Sequence, residues 1–441
     1  MTQQEESNYY RASTRPLGLP ALGGPEPAVE VAIVGGGFAG LATARGLQER
    51  GMRSLALLEA HEIGHGASGR NGGFVFGGYS RDARLLWREL GRQAARSLYG
   101  LTREAVALIR ERIDSHGIAC ERCEGGALLA DWFHGPRASA ALRAQAQFLR
   151  RELGVVWDEV GGAELRELLH TERYSAGLLE RDAFHFHPLK YAQGLARLLQ
   201  AEGAQLYEHS ALQRLEPLAG GGWRLHTAAG ASLRAAQVLV AGGGYLQGKG
   251  SSIRRLRHSR LPIATYVMVT EPLDERTCPV RTPAAVYDTR FAFDYYRRLA
   301  DRRLLWGGRI SILEREPRRI AALLSADMLK VYPQLRGTRI DFAWGGLMSY
   351  ARHQMPQLGQ LAPGLWFAQS FGGHGVAPTT VAGELLADAI SGRAALPQAL
   401  ARYGLTPVFG RLGLLAAQAR YSWAELRDML RDMAASNSAQ R

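Results

Sequence analysis

The stretch from Val29 to Ala60 limits the fold of this chain more than any other. An almost wholly apolar run, Val29–Val34, is typical of a strand buried on both faces of a sheet, and a glycine-rich turn follows it. A second apolar run, Ser54–Leu58, ends at Glu59, which lies 19 residues after Gly40. This order predicts a strand, a helix and a second strand that together bind a dinucleotide.

Three glycines of this stretch, Gly35, Gly37 and Gly40, fit the spacing G-x-G-x-x-G. The first permits a tight turn, the second leaves room for a pyrophosphate, and the third lets the helix pack close to the sheet. Amides at the start of the helix point at the phosphates, and the Glu59 carboxylate suits ribose hydroxyls. The Glu59 carboxylate favours FAD or NAD over NADP, but it does not distinguish FAD from NAD. A glycine-rich turn in another α/β protein is the alternative.

Apolar strands that end in glycines recur later in the chain, so the Rossmann-like dinucleotide domain is expected to be discontinuous. Alternating segments such as Pro262–Glu271 predict a second domain with an antiparallel sheet. The expected fold class is α/β, with an α+β second domain. The predicted layout begins with an extended arm at 1–27. The cofactor domain is expected at 28–115, at 188–250 and, together with the C-terminal tail, at 341–441. A mixed segment, partly of the second domain, is expected at 116–187, and the antiparallel sheet at 251–340.

Composition excludes several classes of protein for this 441-residue chain. No run of about 18 apolar residues is present, which predicts that no helix spans a membrane. The polar N-terminus lacks a hydrophobic signal core, and three cysteines are too few for a disulfide framework, so we expect a cytoplasmic protein. Cys120 and Cys123 form one C-x-x-C without a second pair, which favours a structural role over a redox or metal site.

The net charge of +13 raises the question of nucleic-acid binding. Nearly all the basic residues are arginines, and they are interspersed with Glu and Asp along the predicted helices. The densest cluster is Ser251–Arg260. This scatter favours a solvated or anion-attracting surface over a nucleic-acid site, and attraction of acidic small substrates stays open.

Two further glycine loops carry side chains suited to cofactor chemistry. In Ala67–Gly73, Ser68 offers a hydroxyl to a phosphate or ribitol group, and Arg70 offers positive charge to a pyrophosphate or a substrate carboxylate. Gly372–Val376 runs into a helix whose amides can stabilise negative charge on a reduced flavin, and His374 lies within this loop. A surface loop and a structural histidine are the respective alternatives.

The segment Phe293–Arg297 supplies two tyrosines and a fixed positive charge on one predicted strand. Alternation predicts that Tyr295 and Arg297 share one face of the sheet and Tyr296 the other. One of these faces is expected to close the substrate pocket. Aromatic packing in a sheet core is the alternative for each residue.

The motifs IVGGGFAGLATA, GASGRNGG, DYYRRLADRRLLWGG and FAQSFGGHGV, in this order, resemble the D-amino acid oxidase superfamily of FAD-dependent oxidoreductases. SGRNGG, DYYR and the NYY of the arm are most similar to its gamma-glutamylputrescine oxidase branch, beside glycine and sarcosine oxidases. The resemblance spans nearly the whole chain. It implies hydride transfer from the carbon bearing a neutral amine to flavin N5, followed by hydrolysis of the imine. An amine or amino acid is the implied substrate, and O2 the expected electron acceptor.

The resemblance also implies which residues form the site. Those expected to be catalytic are Tyr295, Tyr296, Arg297 and His374. Those expected to bind FAD are Gly35, Gly36, Gly37, Phe38, Ala39, Gly40, Glu59, Ala60, Ala67, Ser68, Arg70, Asn71, Gly72, Gly73, Leu212, Gly242, Gly373, Gly375 and Val376.

The chain departs from the family pattern at three points. The segment Trp344–Gln354 holds no cysteine of the kind that attaches flavin in sarcosine oxidases, so FAD is expected to be non-covalent. None of the three lysines can be placed as an oxygen-activating residue, which leaves oxidase and dehydrogenase both open. Phe74 follows RNGG and indicates a more apolar pocket. An amine dehydrogenase with another acceptor, a flavoprotein acting on modified RNA and an NAD-dependent dehydrogenase are the alternatives; the oligomeric state is not predicted.

Overall fold

The structure is a computed structural model that describes residues 8–133 and 135–439. The strands are β1 (Ala28–Val34), β2 (Leu55–Leu58), β3 (Phe74–Val75), β4 (Cys123–Glu124), β5 (Ala127–Ala130), β6 (Asp158–Gly161), β7 (Ala176–Glu180), β8 (Phe184–His185), β9 (Gln205–Tyr207), β10 (Leu212–Pro217), β11 (Trp223–Thr227), β12 (Ser232–Val240), β13 (Leu261–Thr270), β14 (Ala285–Asp288), β15 (Tyr295–Arg298), β16 (Leu304–Ser311), β17 (Ile340–Tyr350), β18 (Gln357–Ala362) and β19 (Leu365–Gln369). The α-helices are α1 (Tyr9–Ala12), α2 (Phe38–Glu49), α3 (Ala83–Leu90), α4 (Arg92–Ser115), α5 (Pro136–Phe148), α6 (Gly162–Leu169), α7 (Pro188–Ala201), α8 (Ser251–His258), α9 (Pro317–Val331), α10 (Val376–Ile390), α11 (Gln398–Ala401) and α12 (Gly410–Ala439).

The first sheet has the predicted dinucleotide unit at its centre. β1 lies between β12 and β2 and is parallel to both, while β9 and β19 extend the parallel part. The antiparallel strands β10, β11 and β18 complete the sheet. The strands come from 28–58, 205–240 and 357–369, which confirms the prediction of a discontinuous Rossmann-like domain.

Helices α2 and α10 cover one part of this sheet and lie directly against each other. A Cβ added to Gly383 would lie 2.6 Å from the Ala42 Cβ, and one added to Gly46 would lie 2.9 Å from the Ala387 Cβ. The two helices follow β1 and β19, which point the same way, so both begin at the carboxyl edge of the sheet. The glycine loops that precede them are therefore neighbours despite their distance in sequence.

The second sheet runs in the order β17-β13-β16-β15-β14-β5-β7-β6 and is antiparallel except between β14 and β5. Helix α9 packs on one face of it through Ile320, Leu324 and Met328. The predicted boundary at 340/341 differs from the structure. Residues 340–350 form β17, which pairs along the whole of β13 and so belongs to this sheet.

The described part of the N-terminal arm, from residue 8, packs on the body of the protein. Tyr10 is fully buried, and the amides of Leu19 and Leu22 donate to Glu208 Oε2 at 3.1 Å and to Ser210 Oγ at 2.8 Å. The extended arm therefore follows the surface, and residues 1–7 of the prediction lie outside the described residues. Within the described ranges, no helix has the length and apolar character needed to cross a bilayer.

Candidate active site

The adenosine end of the site is built around Glu59. Its carboxylate accepts hydrogen bonds from the amides of Gly36 at 2.7 Å and His61 at 3.0 Å. Burial raises the pKa of Glu59. Its carbonyl accepts the Ser210 amide at 2.7 Å, so Leu212, at the start of β10, lies close to the predicted ribose-binding acid. Ala60, the next residue after Glu59, is exposed at this edge.

The turn between β1 and α2 depends on contacts that only glycine permits. Gly35 has a φ of +115°, and a Cβ at this position would lie 2.6 Å from the Ala241 carbonyl oxygen, just before Gly242. A Cβ on Gly40 would overlap the Gly35 carbonyl oxygen. The turn is thus closed tightly against the sheet, and the buried residues Phe38 and Ala39 begin the helix that follows.

The loop Ala67–Gly73 is held in shape by its own side chains. Asn71 Nδ2 donates to the carbonyls of Ala67 and Ser68 at 3.0 and 2.9 Å, and Oδ1 accepts the Gly73 amide at 2.7 Å. Ser68 Oγ accepts the Phe38 amide at 2.9 Å and so joins this loop to the start of α2. Asn71 shapes the loop, while Ser68 lies at the predicted phosphate position.

Both arginines predicted at the site are engaged with protein. Arg70 donates from Nε to the His65 carbonyl at 2.7 Å and from one terminal nitrogen to the Gly345 carbonyl at 3.2 Å. Arg297 is buried; its Nε donates to the Gly72 carbonyl at 2.6 Å, and its terminal nitrogens reach Phe186, Tyr10 and His185. Arg297 therefore supports the backbone of the Gly72–Gly73 loop through these hydrogen bonds, and its catalytic role stays a prediction.

The second glycine loop has amides bound by protein, and it leads into a helix start without a side-chain cap beside a neutral histidine. The Gly373 amide donates to Tyr350 Oη at 2.8 Å, whereas Gly375 caps α10 without a side-chain hydrogen bond, leaving the helix start at Val376 open to a ligand. His374 Nε2 lies 2.8 Å from the Gly77 carbonyl. Because a carbonyl only accepts, Nε2 carries the hydrogen and Nδ1 the lone pair. Burial lowers the pKa of His374 to about 4, so the ring is neutral at pH 7.

A wall of aromatic rings connects the two glycine loops. Phe74 meets Tyr295 at 5.6 Å between centroids, and Phe76 meets Tyr287 at 5.7 Å and His374 at 4.0 Å. A Cβ on Gly72 would lie 2.6 Å from Tyr295, so ring and loop backbone are in close contact. Phe293 extends the wall, at 6.0 and 6.2 Å from Tyr287 and Tyr295. Of these, the sequence indicated Tyr295 and His374, Phe74 and Phe76 after RNGG, and Phe293 as the start of the segment Phe293–Arg297; it did not indicate Tyr287.

Tyr296 lies on the opposite face of the second sheet, away from this wall. Its ring stacks on Trp306 at 4.4 Å, and its hydroxyl is 3.0 Å from that of Tyr332. It belongs to the core beneath α9. The predicted alternation along β15 thus agrees with the structure, but Tyr296 fills the core as the packing alternative held, and we leave it out of the site.

One buried carboxyl at the site carries no motif and was missed in the sequence. Glu180 Oε1 accepts a hydrogen bond from the Gly77 amide at 3.1 Å. The Gly77 carbonyl in turn accepts the hydrogen bond from His374 Nε2. Among the described residues, Oε2 is buried and has no hydrogen-bond partner. Burial raises the pKa of Glu180 to about 7. Glu180 thus supports the backbone on which His374 rests.

Glu180→Gln should remove part of the pH dependence of stability. The folded protein holds the Glu180 proton up to about pH 7, whereas the unfolded chain releases it near pH 4.5. The free energy of unfolding of the wild-type protein is therefore expected to fall by about 3 kcal/mol as pH rises between these values, and the variant should lack this contribution. Urea unfolding of the apoprotein across this range measures the effect. The exposed Glu172→Gln should keep the wild-type slope, and an unchanged slope in Glu180→Gln would contradict the assignment.

The profile of a protein family described as FAD dependent oxidoreductase matches residues 30–389. The chain belongs to this family. The match favours FAD over NAD, the two cofactors that the first glycine motif left open, and makes the protein an FAD-dependent oxidoreductase.

Individual relatives agree with the family assignment. Gamma-glutamylputrescine oxidoreductase of Escherichia coli K12 is 34% identical over 393 residues, which cover 89% of this chain and 90% of that protein. Among solved structures, glycine oxidase from Geobacillus kaustophilus superimposes with a TM-score of 0.70 at 21% identity, covering 86% of this chain and 99% of that one. Iminodiacetate oxidase from Chelativorans sp. BNC1 gives 0.68 at 19% identity, with 86% and 99% covered.

The geometry of this FAD-dependent oxidoreductase fits its cofactor. The Gly36–Gly37 turn lies between the Glu59 carboxylate and Ser68, where a Cβ on Gly37 would come within 3.0 Å of Ser68 Oγ. This is the cradle that a pyrophosphate needs. The start of α10 has no side-chain cap, so its amides would be available to the negative end of a flavin ring.

Proposed function

We propose that this protein oxidises the C–N bond of an amine that has no carboxylate on the reacting carbon. The single observation that carries this proposal is the engagement of both site arginines. A carboxylate is held best by two parallel N–H donors of one guanidinium. In Arg70 the donors Nε and Nη1 are bound to carbonyls, and in Arg297 all three nitrogens have protein partners, so in both arginines a protein carbonyl takes the Nε donor of the side-on fork.

The aromatic wall supports an alkylamine in place of an amino acid. Phe74, Phe76, Tyr287 and Tyr295 offer ring faces to an aliphatic chain and to an ammonium group, which aromatic faces attract. The neutral ring of His374 adds no positive charge that would repel the amine. The relative named gamma-glutamylputrescine oxidoreductase, at 34% identity, supports the same class.

In this proposal FAD would be held without a covalent link and would supply the acceptor for a hydride from the carbon that bears the amine. Glu59, the Gly35–Gly40 turn and Ser68 would hold its adenosine and phosphate groups, and the amides at the start of α10 would serve the flavin ring. The wall orients the substrate C–H bond and excludes water, which orders the reactants before the transfer. The imine product is then hydrolysed, and O2 reoxidises the cofactor.

Anaerobic bleaching of the yellow protein tests the substrate class. Alkylamines and mono-acylated diamines should bleach the flavin band, with a second-order rate constant at least roughly tenfold above that of amino acids of matched chain length. Admission of air should then restore the band within the turnover time. Bleaching by amino acids alone would overturn the amine assignment. If only an artificial acceptor, and not air, restored the flavin band, the proposal of O2 as electron acceptor would be wrong.

A further inference from the structure

The C-terminal helix α12 presents an uncovered apolar stripe along its described length. Its large apolar side chains are 41% to 74% exposed. At 100° per residue they fall within an arc of roughly 120° and extend over about 30 Å. They are Leu412, Leu415, Trp423, Leu426, Met429, Leu430 and Met433.

The opposite side of α12 is anchored to the body, which fixes the direction in which the stripe faces. Gln418 Oε1 accepts the Ile312 amide at 3.0 Å, and Asp428 accepts the Phe291 amide at 2.7 Å. Ala424 is buried between them. The helix is thus docked by these residues and by Tyr421, whose ring lies 5.7 Å from that of Phe291, while the seven apolar side chains of the stripe face outward.

Charge is distributed unequally around this helix. In the described side chains of α12, the acids are Glu425, Asp428 and Asp432, which lie at spacings of three, four and seven residues and so share one side of the helix; Asp428 is buried there, Asp432 is half-buried and Glu425 is exposed. Arg420 and Arg427 are exposed and flank the stripe on one edge. One edge of the stripe is therefore bordered by these two arginines, while the exposed Glu425 lies beyond the other edge.

More arginines lie at the start of α12. The Val408 amide donates to the His258 carbonyl at 2.9 Å, which places the last turn of α8 beside this point. That turn carries the exposed Arg255 and Arg257. Arg352 lies over the exposed ring of Phe409 at 5.7 Å. The basic patch continues the arginine edge of α12.

We propose that α12 docks in the plane of an anionic membrane surface. A helix with Leu, Trp and Met on one side and arginines at its edge suits the boundary between acyl chains and acidic headgroups. A second copy of the chain fits less well. Antiparallel pairing of two stripes would bring Arg420 opposite Arg427 of the partner helix on the same edge, with no acid to offset them. RNA would leave the apolar stripe without a contact.

Vesicle sedimentation of the FAD-loaded full-length protein tests this docking. The protein should sediment with phosphatidylcholine vesicles that contain phosphatidylglycerol, less with phosphatidylcholine alone, and less as salt rises. The pair Leu426→Ser and Leu430→Ser should lower the partition coefficient by roughly tenfold or more. The pair Arg420→Glu and Arg427→Glu should abolish the preference for the acidic lipid. Val156→Ser, which alters a side chain that is 62% exposed and not part of α12, should bind like wild type.

Two results would overturn the proposal. One is binding that the serine pair leaves unchanged or that is equal on both kinds of vesicle. The other is a dimer in analytical ultracentrifugation that the serine pair dissociates, which would assign the stripe to a second copy. Flavin bleaching by amines is measured on the same variants and should not change, so membrane docking and the proposed reaction are tested separately.

Discussion

Gly40→Ala is expected to give a protein that folds but purifies without its yellow cofactor. A methyl group at this position would overlap the Gly35 carbonyl oxygen, and neither the Cβ nor this oxygen can move unless the backbone moves. The turn must open to relieve the overlap, which moves the first amides of α2 away from the phosphate position. Affinity for FAD should fall by at least about a hundredfold, or about 2.7 kcal/mol. Fluorescence titration of the apoprotein with FAD measures this loss.

A matched glycine in another helix provides the control for this effect. Gly100 lies in α4, and a Cβ there meets nothing within 4 Å. Gly100→Ala should therefore bind FAD like wild type and raise stability by up to about 1 kcal/mol, since alanine favours the helix. If Gly40→Ala is folded by circular dichroism and binds FAD with wild-type affinity, the close contact at Gly40 is not needed for cofactor binding and the prediction is wrong.

Arg297→Met is expected to lower the free energy of unfolding of the apoprotein by about 3 kcal/mol. Methionine keeps the length of the apolar stem but removes the donors that satisfy the buried carbonyls of Gly72 and Phe186 and the hydroxyl of Tyr10. Buried polar groups left without partners cost about 1–3 kcal/mol each. Denaturant unfolding gives the loss directly.

The neighbouring Arg298 separates this effect from a general loss of charge on β15. It is partly exposed and pairs with the exposed Glu275. Arg298→Met should therefore cost less than about 1 kcal/mol. Equal losses in the two variants would show that Arg297 has no special positioning role. A catalytic role would instead leave stability intact and reduce only the rate of flavin bleaching.

Local patterns predicted the cofactor domain because its signals are local. The apolar run Val29–Val34, the glycine spacing and Glu59 follow one another within a single unit, and each residue type has one main physical use there. Alternation along β15 also predicted that Tyr295 and Tyr296 face opposite ways. Which face meets the substrate depends on α9 and on β16, and a period of two carries no information about these distant neighbours.

The features that the sequence did not reveal depend on pairs of residues far apart in the chain. Glu180 gains its role from the Gly77 amide, and Arg297 from Tyr10, which lies 287 residues away. The start of α12 at Gly410 is another feature that local sequence does not indicate. Gly410 and Gly413 weaken the local helix signal, and contacts such as Gln418 with Ile312 stabilise this part of the helix instead.

The close packing of α2 on α10 also determines when the cofactor site is completed during synthesis. The first glycine motif and α2 leave the ribosome early, but the partner helix of α2 begins at Val376, roughly 330 residues after α2 ends. At about 5 to 20 residues per second, this interval lasts about 20 to 60 s. Throughout it, the small-residue face of α2 around Ala42 and Gly46 has no partner. The loop Gly372–Val376 is therefore synthesised only when translation is nearly finished. A chain that terminates prematurely lacks this loop and so lacks part of the predicted cofactor site.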